Sequence, residues 1–195
     1  MSAPINLGAS LQYHTSSMIQ FDTIDYLRSG DARQRQAYEV LTSYAVLDCL
    51  AEFTPVLTGT IPLQIYVETS DLDISCYWQK KADFLSTLHK CFGPYEGFAV
   101  RELHLAGSET IIANFFLKDF EVEVFGQNRP SKEQHAYRHM LIEYQILSVK
   151  GEEFREQVIA LKKQGYKTEP AFAKLLGLAG DPYKALLQVS LDDLP

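Results

Sequence analysis

Two spacings of apolar residues divide the chain. In residues 31–53 Tyr38, Leu41, Ala45 and Cys49 recur every three to four positions, and Val40, Tyr44 and Leu47 widen the stripe. That spacing predicts an amphipathic helix, with Asp31 as its cap and Pro55 as its end. A shorter helix precedes it, capped by Asp22 or Thr23, running to Leu27 and stopped at Ser29-Gly30. Beyond Pro55 the pattern becomes strand-like over 55–60, 61–67 and 70–78. Helical spacing returns over 81–91 through Phe84, Leu85, Leu88 and Cys91, until Gly93-Pro94 breaks it. Strand patterns over 97–105, 109–117 and 119–125 follow, with short turns at 106–108 and Lys118 that suit a meander.

After Gly126 the pattern is helical to the end. Helices are predicted over 131–149 (Tyr137, Met140, Leu141, Tyr144, Leu147) and over 152–164, ending at Gly165. Thr168 caps the next, with Pro170 in its first turn, and Gly177 stops it after Leu176. Asp181-Pro182 opens the last, through about Val189. The fold class expected is α+β: a mixed β-sheet flanked by helices, followed by a C-terminal helical bundle. The corresponding divisions are an aperiodic arm over 1–20, an α/β core over 21–130 and a helical region over 131–195.

Composition narrows the function. The 195 residues are 46% hydrophobic and 22% charged, ordinary for a packed domain. The net charge of -7 and the lack of any basic run beyond Lys80-Lys81 and Lys162-Lys163 count against a long nucleic acid as partner. Three cysteines, Cys49, Cys76 and Cys91, without regular spacing suggest buried free thiols rather than a disulfide framework or a zinc site. No Lys or Arg precedes Arg28 and no apolar run reaches membrane length, so a cytoplasmic protein without a membrane span is expected.

The chemistry concentrates in GTIPLQIYVETSDLDI, residues 59–74. On a strand Asp71 and Asp73 project to one side while Leu72 and Ile74 face the core. Two carboxylates so close repel unless a cation neutralises them, and Mg²⁺ with substrate phosphates is the usual cation. Upstream, Gly59 lets a phosphate approach the backbone and Thr60 offers a hydroxyl and an amide. Ser70 falls on the same phosphate path. Downstream, FEVEVF sets Glu121 and Glu123 on one strand face, and either supplies a third carboxylate. These are the parts of a metal-assisted phosphoryl or nucleotidyl transfer site.

This arrangement resembles the nucleotidyltransferase superfamily, the polymerase-beta-like fold: a small-residue pair after a strand (Gly59-Thr60), then D-h-D-h (Asp71 to Ile74, h apolar), then a later strand carboxylate (Glu121 or Glu123). Thr at the second small position, and Glu as the third carboxylate, depart from the usual pattern. The runs GTIPL, SDLDI, EVEVFGQ, QHAYRHM and KTEPAFAKLLGL with GDPY are similar to those of an uncharacterised bacterial nucleotidyltransferase-like domain family. The resemblance implies Asp71, Asp73 and either Glu123 or Glu121 as Mg²⁺ ligands and a nucleoside triphosphate as substrate; Glu123, nearer the following loop, is preferred, and the acidic charge favours a small molecule or a protein as acceptor.

Each feature also has a plainer reading. D-x-D recurs at exposed strand ends and in metal-dependent glycosyltransferases, although only about 70 mostly helical residues precede Asp71 here, too few for a doubly wound nucleotide domain. Glu121 and Glu123 suit a solvated strand face. In 127–140 the sequence predicts Ser131, Gln134, His135 and Arg138 on one helical face, with Arg138 for the triphosphate and His135 for a base or acceptor; the plainer reading is a polar face against the sheet edge. A catalytically idle nucleotide-binding or protein-interaction module of the same fold is the main alternative.

Overall fold

A computed structural model describes residues 21–105 and 107–191. The expected N-terminal arm, 1–20, and Ala106, the first residue of the expected turn over 106–108, lie outside the described residues.

Five strands form one mixed sheet: β1 (Val56–Thr58), β2 (Leu72–Tyr77), β3 (Ala99–Leu105), β4 (Ser108–Leu117) and β5 (Phe120–Gln127). Their order is β1-β2-β5-β4-β3. Only β2 and β5 are parallel; the other three pairs are antiparallel. Helices α1 (Ala32–Ser43), α2 (Val46–Cys49) and α3 (Lys81–Phe92) accompany the sheet. After it come α4 (His135–Lys163), α5 (Thr168–Leu176) and α6 (Pro182–Leu186).

The alternation of each central strand decides which face is covered. Leu72, Ile74 and Cys76 of β2, Val122 and Val124 of β5, and Ile111, Ala113 and Phe115 of β4 form one core with Leu41 of α1 and Phe84, Leu88 and Phe92 of α3. Phe92 stacks on Phe115 at 4.5 Å. A second core joins Tyr137, Met140, Leu147, Phe154 and Val158 of α4 to Ala171 and Phe172 of α5 and Leu186 of α6. The intervening residues on β2 and β5 face the other way, toward these C-terminal helices.

The loop between β1 and β2 corrects one expectation. Residues 61–67 alternate like a strand, and Ile61, Leu63 and Ile65 are all buried. They form turns instead, because Ile61 enters the first core while Leu63 and Ile65 enter the second. Pro62 has no N–H to give a ladder, and Gln64 sits at φ +56. The Gln34 side chain donates to the Ile61 and Pro62 carbonyls at 2.9 and 3.3 Å, and Arg155 donates to the Leu63 carbonyl. The loop stitches the two cores together.

Other boundaries shift locally. The first short helix is a 3₁₀ turn over Asp25–Ser29 whose cap is Ile24, not Asp22 or Thr23. The helix expected over 31–53 breaks after Ser43: the Thr42 hydroxyl donates back to the Tyr38 carbonyl at 2.7 Å, and Ala45 turns to φ +49. Its start is as expected, with Asp31 and Gln34 forming a reciprocal capping box. Gly151, at φ +76, kinks α4 between the two helices that the sequence separates. Thr168 is the first residue of α5 rather than its cap, whereas Asp181 does cap α6, which ends at Leu186. Cys76 is buried; Cys49 and Cys91 are free and half-buried. Among the described residues no helix is long and apolar enough to cross a membrane.

Candidate functional site

Strand register sets the site. Thr58, Asp73, Glu123 and Asn114 form one cross-strand row over β1, β2, β5 and β4. With the core taking the alternate residues, this row faces the C-terminal helices across a cleft of about 380 Å³. The cleft's sheet side carries Thr58, Asp73, Ser75, Glu123, Phe125 and Gln127; its helix side carries His135, His139, Glu169 and Tyr183. Arg129, Leu105 and Ser108 line it as well.

Asp73 is the hub. Burial, then the charges of Asp71 and Glu123, push its carboxyl well above the ordinary range. Burial also raises Glu123, Asp71 adding to it while the Asn114 amide opposes it. Gly59, at φ +77, lies directly against this carboxylate: an added Cβ would overlap Asp73 Oδ2. Thr60 and Ser70 tie off the loop. The Thr60 hydroxyl donates to Ser70 Oγ at 3.2 Å, and the Val67 amide donates to the same oxygen at 2.9 Å.

The expected strand over 70–78 begins only at Leu72, so Asp71 precedes the ladder that holds Asp73. Among the described residues no three His, Cys, Asp or Glu side chains are already gathered closely enough to hold a metal ion. Asp71, Asp73 and Glu123 therefore do not form a preassembled three-carboxylate cage. The donor set still suits Mg²⁺, which takes one or two carboxylates and completes its shell with phosphate oxygens and water.

The two glutamates of β5 separate. Glu123 pairs in register with Asp73 and lines the cleft. Glu121 is exposed, accepts from Asn114 Nδ2 at 3.2 Å and does not line the cleft. Arg101 reaches Glu123 at 3.9 Å from an exposed position, a contact of little strength.

The segment after β5 departs from the expected helical face. Ser131–Glu133 is a 3₁₀ turn and Gln134 is extended. Ser131 and Gln134 are buried while His135 and Arg138 are exposed. Gln134 serves structure, donating to the Cys76 and Arg129 carbonyls at 2.8 and 2.9 Å. His135 reaches the cleft; Arg138 does not line it. Burial, then the neighbouring His139, lowers the His135 pKa.

On the helical side stand His139, the companion of the candidate His135, and three residues that sequence patterns do not assign to the site: Glu143, Lys162 and Glu169. His139 is 5% exposed; its Nδ1 lies 3.4 Å from Glu169 Oε1 and its Nε2 2.9 Å from the Tyr183 carbonyl, joining α4 to α5 and α6. Glu143, one turn on, is buried, and among the described residues its Oε1 has no hydrogen-bond partner. Lys162 donates to Thr168 Oγ1 at 2.9 Å. Burial depresses its pKa, and Glu143, Asp73, Glu169 and Asp71 together oppose that. Through its charge Lys162 thus opposes the upward shift of Asp73, although no ion pair joins the two among the described residues. Its only sequence signal was its place in a Lys-Lys doublet.

A family model described as a domain of unknown function (DUF4269) matches residues 39–189. The chain belongs to this family. No curated protein matches it. Among solved structures, it is similar to the Cid1 poly(U) polymerase bound to MgATP, with a TM-score of 0.51 and 16% identity over 73% of this chain and 48% of that one. The MgGTP-bound Cid1 gives a TM-score of 0.51 at 14% identity over 73% and 48%. A cytoplasmic RNA terminal U-transferase gives 0.50 at 17% over 75% and 48%. At these identities the likeness is one of fold, and the chain spans about half the length of those structures. The DUF4269 chain has a nucleotidyltransferase-like fold, with a five-stranded mixed sheet flanked by helices.

Proposed function

We propose that this DUF4269 protein is a Mg²⁺-dependent nucleotidyltransferase that moves a nucleoside monophosphate from a nucleoside triphosphate to a small-molecule or protein acceptor. One observation carries the reading: Asp73 and Glu123 stand side by side in a cleft where carboxylates outnumber cations, with the Gly59 turn against them. Such a surplus calls for a cation that arrives with the ligand. Asp71, Asp73 and Glu123 would hold Mg²⁺, which when bound neutralises the phosphates and polarises the reacting phosphorus.

The chain's own groups divide the remaining work. Gly59, Thr60 and Ser70 lie along the phosphate path. Lys162 supplies a fixed positive charge opposite the aspartates, and its desolvation strengthens its hold on a phosphate oxygen. Glu123 accepts the proton of the attacking hydroxyl; Glu121 is the second candidate for that role. Attack on the α-phosphorus forms the new ester as the bond to the β-phosphate breaks, releasing pyrophosphate. The net charge of -7 disfavours a long polyanion as acceptor.

Thermal unfolding with a panel of nucleoside triphosphates, with and without Mg²⁺, tests this. Wild type gains stability with Mg²⁺ and nucleotide together, and Asp73→Asn loses that gain while staying folded. A gain that persists in the variant, or that needs no metal, refutes the site and favours an idle nucleotide-binding module.

A further inference from the structure

Gln127 is not part of the metal and phosphate machinery, yet it lines the same cleft and is 7% exposed. It stands opposite Tyr77 on β2 and Thr110 on β4. Four residues along the parallel β2–β5 pair separate it from the Asp73–Glu123 row, about 13 Å at strand rise. That is roughly the length of a nucleoside measured from its α-phosphate. Between the two rows, on the same face, lies Phe125; Leu105 and the half-exposed Tyr183 ring complete an apolar slot suited to a planar base.

The orientation of the Gln127 amide is fixed by a relay. The Thr110 hydroxyl donates to the Ser108 carbonyl at 3.1 Å. Its one proton committed, that hydroxyl accepts from Gln127 Nε2 at 2.8 Å. The amide nitrogen is therefore held inward. Among the described residues no hydrogen bond to Oε1 is found, and Gln127 lines the cleft. The residue presents a pre-oriented acceptor there.

We propose that Gln127 selects the nucleotide's base, favouring an exocyclic amino group at the edge remote from the sugar: adenine N6 or cytosine N4. This rests on the nucleotidyltransferase reading of the cleft. A carbonyl at that edge would set acceptor against acceptor and leave both unpaired, the kind of mismatch that sites use to reject close analogues.

Calorimetric titration with Mg²⁺ and two matched pairs, ATP against ITP and CTP against UTP, tests it. Within each pair the amino group is exchanged for a carbonyl. Wild type binds the amino member at least about tenfold more tightly. Gln127→Met brings each pair to near equality. Thr110→Val leaves Gln127 in place but removes the hydroxyl that holds its nitrogen; the amide is released and the preference falls toward one or inverts. Thr110→Ser, which keeps the hydroxyl, keeps the preference, so a general disturbance of β4 is distinguished from loss of the relay. Equal binding of both members by wild type, or a preference that survives Gln127→Met and Thr110→Val, overturns the assignment of Gln127 and leaves the nucleotide site standing. Failure of wild type to bind any Mg²⁺-nucleotide overturns both.

Discussion

Replacing Glu143 by Gln should stabilise the protein increasingly as the pH rises. Glu143 is 4% exposed, and among the described residues its Oε1 has no hydrogen-bond partner. Burial, with the charge of Glu169 adding and Lys162 opposing, pushes its carboxyl up to about 8 from the ordinary 4.5. A carboxyl raised on folding binds its proton more tightly in the native state, so stability is full below the unfolded value of about 4.5 and is lost as pH climbs through about 8. At about 1.4 kcal/mol per tenfold change in proton affinity, wild type loses about 4 kcal/mol from this group between pH 5 and pH 9. Glutamine, isosteric and neutral, carries no such dependence. Urea unfolding of wild type and Glu143→Gln at pH 5, 7 and 9 measures the difference, and the groups that Glu143 does not act on cancel. The variant's advantage should be small at pH 5 and grow by about 4 kcal/mol at pH 9. Growth below about 1 kcal/mol would mean that Glu143 ionises freely in the native state, and the argument would fail.

Two further substitutions probe the site. Gly59→Ala forces a Cβ into the Asp73 carboxylate and a side chain into a left-handed conformation. It should cost about 1–2 kcal/mol in urea unfolding from backbone strain alone and remove the Mg²⁺-nucleotide gain. Loss of stability with the gain intact would separate the turn from binding. Lys162→Met should weaken Mg²⁺-nucleotide binding by about tenfold or more in calorimetry, since a charge-assisted contact is lost; unchanged affinity would show that Lys162 serves only the helices.

Much of this was legible from spacing alone. The alternations that mark β2, β4 and β5 survive because each strand buries one face in a single core, so periodicity and burial agree. They part company at Ile61, Leu63 and Ile65, where the same alternation serves two different cores and the backbone turns between them. On the sheet, Asp73 and Glu123 were readable as polar residues alternating with apolar ones on their strands, and the parallel β2–β5 register sets them side by side. Glu143, Lys162 and Glu169 were not, because each is an ordinary polar residue on its own helix. Only the packing of α4 and α5 brings the charges of Lys162 and Glu169 to bear on Asp73. Arg138 shows the converse: helical spacing assigned it to a face that the 3₁₀ turn and the extended Gln134 rotate away.

The charge balance of the cleft also implies a conflict between stability and function. Asp71, Asp73, Glu123 and Glu169 act on one another across a partly dry space, and Lys162 offsets only part of that charge. The arrangement is costly without ligand and becomes favourable when a cation enters. If Asp73 is kept for binding rather than for folding, removing its charge should relieve the ligand-free protein. Asp73→Asn keeps the shape and removes one of the mutually repelling groups, so its urea midpoint without ligand should rise above that of wild type, by an amount on the order of 1–2 kcal/mol. The same variant should then gain nothing from Mg²⁺ and nucleotide, so the two proteins would exchange rank once ligand is added. A ligand-free variant less stable than wild type would mean instead that Asp73 holds the Gly59 turn and Lys162 in place. In that case the cluster is a structural ion network.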